Sequence, residues 1–477
     1  MVRTRFAPSP TGYLHIGGLR TALYGYLFAK KQGGKFVLRL EDTDTERYVA
    51  DSVQLIYDSL KVAGIYYDEG PDVGGEFGPY VQSERKGLYL EYAKKLIERG
   101  GAYYCFCDKE RTDSLVDENG NKRYDKHCLN LSKEEIKAKL ESGVPYVIRQ
   151  NVPLTGEGSY NDLVYGEITV KYEDIEDGIL IKSDGMPTYN FANVVDDHLM
   201  GITHVIRGTE YLSSTPKYNL LYDGFGWERP VYIHLPPIMK NQKEKLSKRN
   251  GDASFQDFID KGYIKEAVIN YIALLGWSPK DNREKMTLSE LTESFSLEGI
   301  NKSPSIFDDV KCRWLSGEYI KAMDFDTLYD LALPYFEKSS VAGKYDYKKI
   351  LKLLHSRIEI LSEIPEKVAF LGEMPSGYDL AIYEHKKMKC DKDIAKAVLP
   401  IAREALLGLD EFTNDNLFAL LSSVAEANGY KKTQLLWAVR VALSGLLSTP
   451  GGATELAEIL GKEESVKRID IAIAYLG

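Results

Sequence analysis

The stretch SPTGYLHIGG, residues 9–18, decides the fold because it separates an apolar strand from a helix. Residues 2–7 have the pattern of a buried strand, and residues 19–30 carry apolar side chains at helical spacing. Two glycines at 33 and 34 end that helix, and residues 36–40 form a second short apolar run. Strand, helix and strand within about 40 residues predict a right-handed parallel crossover, the unit of a doubly wound α/β sheet.

This alternation of strands and helices is interrupted from about residue 83 to residue 181, and we interpret that stretch as an inserted domain. Ser132, followed three residues later by Glu135, predicts a capped helix, and alternating patterns predict strands on either side. We expect those strands around residues 144–149 and 168–172, and the returning strands of the first sheet at residues 194–195, 204–206 and 231–234. Beyond residue 325 the chain is predicted to be helical, with apolar faces over residues 347–361 and 435–447.

The composition is that of an ordinary globular protein. The 477 residues include 71 acidic and 61 basic side chains, for a net charge of −10, and 44% are hydrophobic. These values exclude collagen, a coiled coil and wholesale disorder. Because the sequence lacks a run of ~20 apolar residues, a signal-peptide core and a dense disulfide pattern, we expect a cytoplasmic protein without a membrane segment.

Two segments carry candidate phosphate chemistry. The first is the break before the first helix, where helix N–H groups favour an anion, His15 can donate a hydrogen bond, and Gly17 leaves room for a nucleotide. The second is KEKLSKRNG, residues 243–251, in which Lys245 and Lys248 can neutralise charge on transferring phosphates. Taken singly, the first segment is at least as well explained as a capped core turn, and the second is better explained as a solvated charged loop.

Together the two segments resemble the signature motifs of class I aminoacyl-tRNA synthetases. Residues 182–201 (KSDGMPTYNFANVVDDHLMG), residues 39–44 (RLEDTD) and residues 69–71 (EGP) are similar to the glutamyl-tRNA synthetase family. The likeness covers the whole chain. It implies an α/β fold: a Rossmann-type parallel-sheet catalytic domain with an inserted α+β domain, followed by an all-α anticodon-binding region.

The expected domain division follows from this resemblance. Its five parts are the first half of the catalytic domain at 1–82, the inserted acceptor-stem-binding domain with a possible zinc module at 83–181, the second half of the catalytic domain at 182–240, the signature-loop and stem-contact domain at 241–325, and the anticodon-binding region at 326–477.

The reaction implied by the resemblance is the ATP-dependent ligation of L-glutamate to tRNA(Glu) for protein synthesis, through a glutamyl-adenylate. The implied partners are glutamate, ATP with Mg²⁺, and the tRNA, and the implied state is a monomer. The ATP site would consist of His15, Gly17, Glu210, Tyr211, Lys245 and Lys248, of which His15 and the two lysines would be catalytic.

The glutamate pocket can be argued from chemistry as well as from the family. A carboxylate is best held by the planar fork of an arginine, and Arg5 and Arg207 match family positions that do this. The matching neighbours are Ser9 near the α-carboxylate, Glu41 for the ammonium group, and Tyr189 and Asn193. We expect a pocket of unpaired arginines to reject glutamine, because the amide would leave buried charge unbalanced. The alternative for Glu41 is a structural acid beside a helix N-cap, and the alternative for Arg207 is a salt bridge at the sheet end.

Three of the five cysteines form a candidate metal site. Cys105, Cys107 and Cys128 lie within a short polar segment, as in structural zinc sites, and their spacing resembles the zinc module of some family members. The usual histidine two residues after the last cysteine is absent. Tyr124 matches a tyrosine ligand of the related glutamyl-queuosine enzyme, and His127 is a second candidate for the fourth ligand. Free thiols without a metal are the alternative.

The tRNA-binding residues are implied by resemblance alone. They are Arg313, Trp314, Arg357, Arg440 and Thr449, near the anticodon end. Arg357 occupies the place of an arginine that reads the last anticodon base in discriminating members, although it could be a solvated helix residue. The sequence therefore leaves open whether tRNA(Gln) is also charged.

Three rival functions are weighed against this one. Glutaminyl-tRNA synthetase shares both motifs, but its anticodon part is a β-barrel. A small-molecule nucleotidyltransferase would not need the helical region, and a dead tRNA-binding relative would not keep the motif residues. The chain departs from the pattern in lacking the second histidine of the first motif and in having Tyr211 where some relatives have tryptophan.

Overall fold

The computed structural model describes residues 1–43, 51–115, 123–246, 254–374 and 377–477. It divides into two compact units. The first unit comprises Met1–Ile259 and Lys265–Asp309, and the second comprises Asp260–Ile264 and Val310–Gly477.

The elements up to residue 235 form the α/β part of the first unit. In chain order they are β1 (Arg3–Phe6), α1 (Ile16–Lys31), β2 (Lys35–Leu38), α2 (Ser52–Val62), α3 (Lys86–Glu98), β3 (Ala102–Cys105), α4 (Lys109–Ser114), α5 (Lys133–Glu141), β4 (Val147–Gln150), β5 (Glu157–Asp162), β6 (Gly166–Lys171), β7 (Ile179–Ile181), α6 (Tyr189–Leu199), β8 (His204–Gly208), α7 (Thr215–Phe225) and β9 (Val231–Leu235).

The first strands of the chain pair in parallel. β1 pairs in parallel with β2, with α1 as the crossover between them, as predicted. A four-stranded sheet has the order β6-β5-β9-β8, in which β8 and β9 are parallel. Thr203, just before β8, exchanges backbone and side-chain hydrogen bonds with Arg3 of β1. Farther along the strands, Nη1 of Arg5 on β1 donates to the carbonyl oxygen of Ile206 on β8. The carboxyl ends of β1 and β8 therefore lie close together, where an open α/β sheet binds its ligands.

One predicted strand is wrong. Val194 and Val195 lie in the middle of helix α6, not in a returning strand. The β-branched pair favours a strand locally, but Phe191, Val194 and Val195 have helical spacing and are all buried in one core with residues of α3 and α7. Tertiary packing therefore overrides the local preference for a strand.

The inserted stretch contains a three-stranded antiparallel sheet of order β3-β4-β7. Helix α5 follows Ser132, whose hydroxyl accepts a hydrogen bond from the backbone N–H of Glu135 while the Glu135 carboxylate accepts one from the N–H of Ser132. This reciprocal cap is the one that the sequence predicts.

The remaining elements are mostly helical. They are β10 (Ile238–Met239), α8 (Phe255–Asp260), α9 (Lys265–Leu274), α10 (Leu288–Ser294), β11 (Ser305–Ile306), α11 (Asp309–Ala322), α12 (Phe325–Glu337), α13 (Tyr347–Leu354), α14 (Ile364–Gly372), α15 (Lys392–Leu407), α16 (Asn414–Ala427), α17 (Lys432–Ser444) and α18 (Ala453–Leu476).

The second unit is helical, as predicted, with one difference. The apolar face expected over residues 347–361 is not one continuous helix, because α13 ends at Leu354 and the backbone turns before a short helical turn at Leu361–Glu363. Ile358 and Leu361 are nevertheless buried. Among the described residues, we find no helix with the length and apolar character needed to span a bilayer.

Candidate functional sites

His15 caps the first helix. It precedes α1 with an extended backbone, and its Nδ1 accepts a hydrogen bond from the N–H of Gly17 at 2.9 Å. A Cβ atom at Gly17 would lie 3.3 Å from that nitrogen, so the glycine allows the imidazole to lie against the helix start. Since Nδ1 is the acceptor, the proton of the neutral ring is on Nε2. The ring thus presents a donor at the positive end of a helix dipole.

The charged second segment begins beside β10, and the first described residue after it, Ser254, lies beside His15. Lys245 is exposed and forms an antiparallel bridge with Met239 after a tight turn. Ser254 forms an antiparallel bridge with His15, and the N–H of Phe255 donates to the carbonyl oxygen of Leu14. Ser254 and Phe255, which follow the segment in the chain, are therefore adjacent to the first motif. Lys248, the other predicted lysine, lies outside the described residues.

Arg207, on β8, is a buried guanidinium surrounded by aromatic rings. Its Cζ lies 4.8 Å from the ring centroids of Tyr211 and Tyr218 and 5.4 Å from that of Tyr232. It has no ion pair with a carboxylate in the part of the chain that the structure describes, and its hydrogen bonds use Nε and Nη2. Its Nη1 donors are therefore left for a ligand, and a negatively charged one would balance the buried charge.

Arg5 corrects the expectation of a pocket built from unpaired arginines. Its Nε donates to Oδ1 of Asp197 at 3.1 Å, and both side chains are buried. Its Nη1 donates to the carbonyl oxygen of Ile206, so its guanidinium is next to the backbone that carries Arg207. Of the two predicted arginines, one is balanced within the protein and the other is not.

Glu41 belongs to the same buried network. Its Oε1 accepts hydrogen bonds from Nη2 of Arg39 at 2.9 Å and from Nε2 of Gln82 at 3.4 Å. Arg39 also donates from Nη1 to Asp197 at 2.7 Å. Burial raises the pKa of Glu41, although the charge of Arg39 opposes this shift. Burial would also raise the pKa of Asp197, but Arg5 and Arg39 outweigh it, so that the pKa is lowered.

The other predicted pocket residues lie around these groups in different ways. Tyr189 begins α6 and its ring centroid is 5.8 Å from that of Tyr211, while the amide of Asn193 donates to the carbonyl oxygen of Tyr189 at 2.6 Å. Ser9 is exposed in the loop after β1. Glu210 lies in the turn after β8, with its carboxylate so close to Gly208 that a Cβ atom there would overlap it.

Sequence reasoning missed several groups of this site. Asp197, Arg39 and Gln82 hold the predicted residues, and Asp162 with His234 contacts Arg207 from the neighbouring strands. The signal available was a polar residue in a run that is otherwise apolar, as with the histidine of VYIHL at residues 231–235. Their partners are distant in sequence, so only the fold reveals the contacts.

The three predicted thiols converge. The sulfur atoms of Cys105, Cys107 and Cys128 all lie within 4.8 Å of one another, and in the described residues this is the group suited to a metal. The Tyr124 hydroxyl lies 3.3 Å from the sulfurs of Cys105 and Cys107. His127 is exposed and is not part of the cluster. Burial raises the pKa of Cys107 to about 11, so that without a metal this thiol is protonated at pH 7.

The predicted tRNA-binding residues have different surroundings in the second unit. Arg313 is paired with Glu359 and Glu363, whereas Trp314 beside it is 40% exposed. Arg440 is buried, and donates to Oγ1 of Thr449 at 3.0 Å and to the carbonyl oxygen of Leu447.

Arg357 and Thr449 line the same cavity. The cavity has a volume of about 440 Å³ and also contains Lys367 and Phe370 in its wall. Arg357 is exposed and follows the end of α13. A cationic donor and an aromatic ring in a cavity of this size suit a flat polar group such as a nucleobase.

Comparison with known proteins shows the family to which the chain belongs. Residues 1–314 match the catalytic domain of class I tRNA synthetases (E and Q), and residues 327–473 match an anticodon binding domain. The glutamate–tRNA ligase of Clostridium novyi is 57% identical over 478 residues, covering 100% of this chain and 98% of that protein. The chain belongs to the glutamate–tRNA ligase family of class I tRNA synthetases. The glutamate–tRNA ligase of Clostridium acetobutylicum is 56% identical, covering 100% of this chain and 99% of its own.

Solved structures of the same family have the same fold. The crystal structure of a glutamate tRNA ligase from Elizabethkingia meningosepticum, in complex with its amino acid, has a TM-score of 0.89 and 36% identity, covering 100% of both chains. The glutamate-tRNA synthetase of Elizabethkingia anophelis also has a TM-score of 0.89 and 36% identity, covering 99% of both chains. The predicted fold class, an α/β synthetase domain followed by a helical anticodon region, is thereby confirmed.

Proposed function

We propose that this chain ligates L-glutamate to tRNA(Glu) at the expense of ATP, the activity named for its relatives. The observation that carries the proposal is the buried guanidinium of Arg207, which has no carboxylate partner among the described residues. A buried charge of this kind is costly unless a ligand balances it, and the side-chain carboxylate of glutamate supplies the balancing charge.

Each polar group of glutamate has a complementary side chain in this proposal. Arg207 binds the side-chain carboxylate with its Nη1 donors, and Arg5 lies next to it through the carbonyl of Ile206. Glu41 accepts from the ammonium group, and Arg39 holds its carboxylate in place. Tyr189 and Asn193 line the pocket, and Ser9 contacts the α-carboxylate from the loop after β1.

Glutamine would be rejected by the same arrangement. Its amide has nearly the shape of the carboxylate but no negative charge, so the charge of Arg207 would stay unbalanced in a buried site. Sites that match a polar group in this way can discriminate by ~10⁴. The pairing of Arg5 with Asp197 sharpens the argument, because it leaves selection to a single unbalanced arginine.

The first reaction step needs alignment and charge stabilisation. An α-carboxylate oxygen of glutamate attacks the α-phosphorus of ATP, and pyrophosphate leaves as the glutamyl-adenylate forms. His15 and the N-terminus of α1 face the phosphates, with Gly17 allowing their approach. Lys245 and Lys248 neutralise charge on the leaving pyrophosphate. We assign Glu210 and Tyr211 to the nucleotide. The magnesium that accompanies ATP would take most of its ligands from phosphate and water.

In the second step a terminal ribose hydroxyl of the tRNA attacks the activated carbonyl carbon, and AMP leaves.

We assign the cavity of Arg357 and Thr449 to the last anticodon base. Arg440 positions Thr449, while Trp314 offers a stacking surface beside Arg313. A guanidinium suits bidentate reading of a base edge, and on this ground we propose that tRNA(Gln) is excluded.

A structural zinc ion at the cysteine cluster is part of the proposal. Three sulfur atoms within 4.8 Å and a phenol oxygen within hydrogen-bond reach of two of them form a four-donor set of the kind that zinc takes. Tyr124, not His127, is the fourth donor in this assignment. The ion would tie β3 to the segment before α5 and would take no part in the reaction.

The five-domain division remains a proposal, as does the monomeric state that the resemblance implies. Light scattering on the purified chain at micromolar concentration tests the second point. A mass of one chain agrees with the proposal, and a mass of two chains overturns it.

The activity is tested by ATP-dependent charging of purified tRNA(Glu) and tRNA(Gln). Labelled glutamate should appear on tRNA(Glu) alone, and labelled glutamine on neither tRNA. Glutamate on both tRNAs would keep the ligase activity and overturn the role of Arg357. No charging by folded protein with magnesium present would overturn the proposed function.

A further inference from the structure

Three neighbouring strands bring Asp162, His234 and Arg207 into a buried row. Asp162 ends β5, His234 lies on β9, and Arg207 lies on β8, with His234 and Arg207 paired directly across the two parallel strands. The three residues are 1%, 0% and 6% exposed. Nothing on the solvent side therefore competes for their hydrogen bonds.

The carboxylate of Asp162 fixes which nitrogen of His234 carries the proton. Its Oδ1 accepts from the backbone N–H groups of Val164 and Tyr165, both at 2.9 Å. Its Oδ2 accepts from the backbone N–H of His234 at 3.1 Å and lies 2.7 Å from Nδ1 of the ring. An acceptor at that distance places the proton on Nδ1.

The other ring nitrogen then serves as an acceptor for Arg207. The neutral ring has a lone pair on Nε2, and Nε of Arg207 donates to it at 3.2 Å. Burial lowers the pKa of His234, which keeps the ring neutral at pH 7 and the lone pair available. The histidine thus connects a carboxylate to the arginine without neutralising its charge.

Two anchors fix the plane of the guanidinium. One is the bond from Nε to His234, and the other is the bond from Nη2 to Oγ1 of Thr215 at 2.7 Å. The Thr215 hydroxyl in turn donates to the carbonyl oxygen of Tyr211 at 2.7 Å. With Nε and Nη2 held on protein atoms, the described hydrogen bonds leave the N–H groups of Nη1 for a ligand.

We propose that Asp162 and His234 are positioning residues that aim Arg207 at the side-chain carboxylate of glutamate and so set the selection of glutamate over glutamine. This inference rests on the proposed function, since it requires that Arg207 bind that carboxylate. A direct Asp–Arg pair would hold the arginine equally firmly but would cancel the charge that the substrate has to balance. The interposed histidine gives position without neutralisation.

Two substitutions at His234 distinguish its hydrogen bond to Asp162 from its hydrogen bond to Arg207. In His234→Asn the amide nitrogen stands near the position of Nδ1 and keeps a donor for Asp162, but the acceptor for Arg207 is lost. In His234→Gln the side-chain oxygen reaches the position of Nε2 and restores that acceptor. Both variants retain Asp162 and hence the turn that its Oδ1 holds.

The experiment measures aminoacylation kinetics of the full chain with tRNA(Glu), varying glutamate and ATP separately. His234→Asn should raise KM for glutamate roughly 10-fold or more, because a small misplacement of a binding group is costly. Its kcat and its KM for ATP should stay within about 3-fold of the wild-type values. His234→Gln should recover most of the loss.

Arg207→Gln in the same assay distinguishes the two possible failures. If Arg207→Gln leaves KM for glutamate unchanged, the proposed glutamate site is wrong and this inference is wrong with it. If Arg207→Gln raises that KM and His234→Asn does not, only the positioning role is overturned. In a third outcome, both His234 variants have a lower kcat, higher KM values for glutamate and ATP, and a lowered melting temperature. This result would assign His234 to stability and overturn the inference.

Discussion

Arg5 and Asp197 form a buried ion pair, in which Nε of Arg5 lies 3.1 Å from Oδ1 of Asp197. Arg39 donates to the same carboxylate at 2.7 Å and to Glu41 at 2.9 Å, so both buried guanidinium groups have carboxylate partners within the protein. Arg207 has no such partner in the described part of the chain. The contrast separates arginines that build the pocket from the arginine that meets the substrate charge.

The first prediction concerns this carboxylate. Asp197→Asn should lower the free energy of unfolding at pH 7 by about 3 kcal/mol, because it leaves buried guanidinium charge uncompensated. Arg5 and Arg39 lower the folded-state pKa of Asp197 below the unfolded value of about 3.9. Its contribution is therefore complete above that value and is lost as the pH falls through the folded-state pKa.

Urea unfolding of wild type and variant at about pH 7, 5 and 3.5 checks this. The difference between the two proteins should be constant at the two higher pH values and smaller at the lowest. Asp223→Asn is the matched control, since Asp223 pairs with Arg229 at the surface and should cost less than about 1 kcal/mol. An Asp197 variant as stable as this control would contradict the account.

The second prediction concerns the fourth zinc donor. Purified protein should contain one zinc ion per chain by elemental analysis, and Cys128→Ser should lose it. Tyr124→Phe should release zinc to a chelator faster than wild type, because the phenol oxygen lies beside two of the sulfur atoms. His127→Ala is the control and should behave as wild type. Loss of zinc from the His127 variant, with retention in the Tyr124 variant, would reverse the assignment.

The third prediction concerns the cavity of the helical unit. Arg357→Ala should raise KM for tRNA(Glu) by roughly 10-fold, the effect of losing one bidentate base contact, and should leave KM for glutamate unchanged. Lys348→Ala is a suitable control, because Lys348 is exposed and pairs with Asp326 outside this cavity. Equal KM values for the tRNA in wild type and the Arg357 variant would show that the cavity does not read the anticodon.

Local patterns in the sequence predicted the elements that depend on local chemistry. The crossover around α1 and the reciprocal cap between Ser132 and Glu135 are both as expected. Val194 and Val195 lie in helix α6 although their β-branched side chains favour a strand, because their spacing to Phe191 buries all three in one core. Packing decides such cases, and packing is not visible in a short window.

At the site, too, local motifs could be found in the sequence but long-range contacts could not. The family motifs pointed to Arg5, Glu41 and Arg207, whose side chains the structure brings to one end of the sheet. The pairing of Arg5 was missed because Asp197 is 192 residues away in sequence. Asp162 and His234 are 72 residues apart, and only the register of the sheet reveals that they act on Arg207.

The most direct test of the central claim is the kcat/KM for glutamate and for glutamine of wild type and Arg207→Gln. The account predicts that the wild-type value is ~10⁴ higher for glutamate than for glutamine. In the variant the value for glutamate should fall roughly 100-fold, as expected for lost hydrogen bonds to a charged group, while the value for glutamine does not fall. An equal fall for both amino acids, or no fall for either, would contradict the claim that the unbalanced charge of Arg207 selects glutamate.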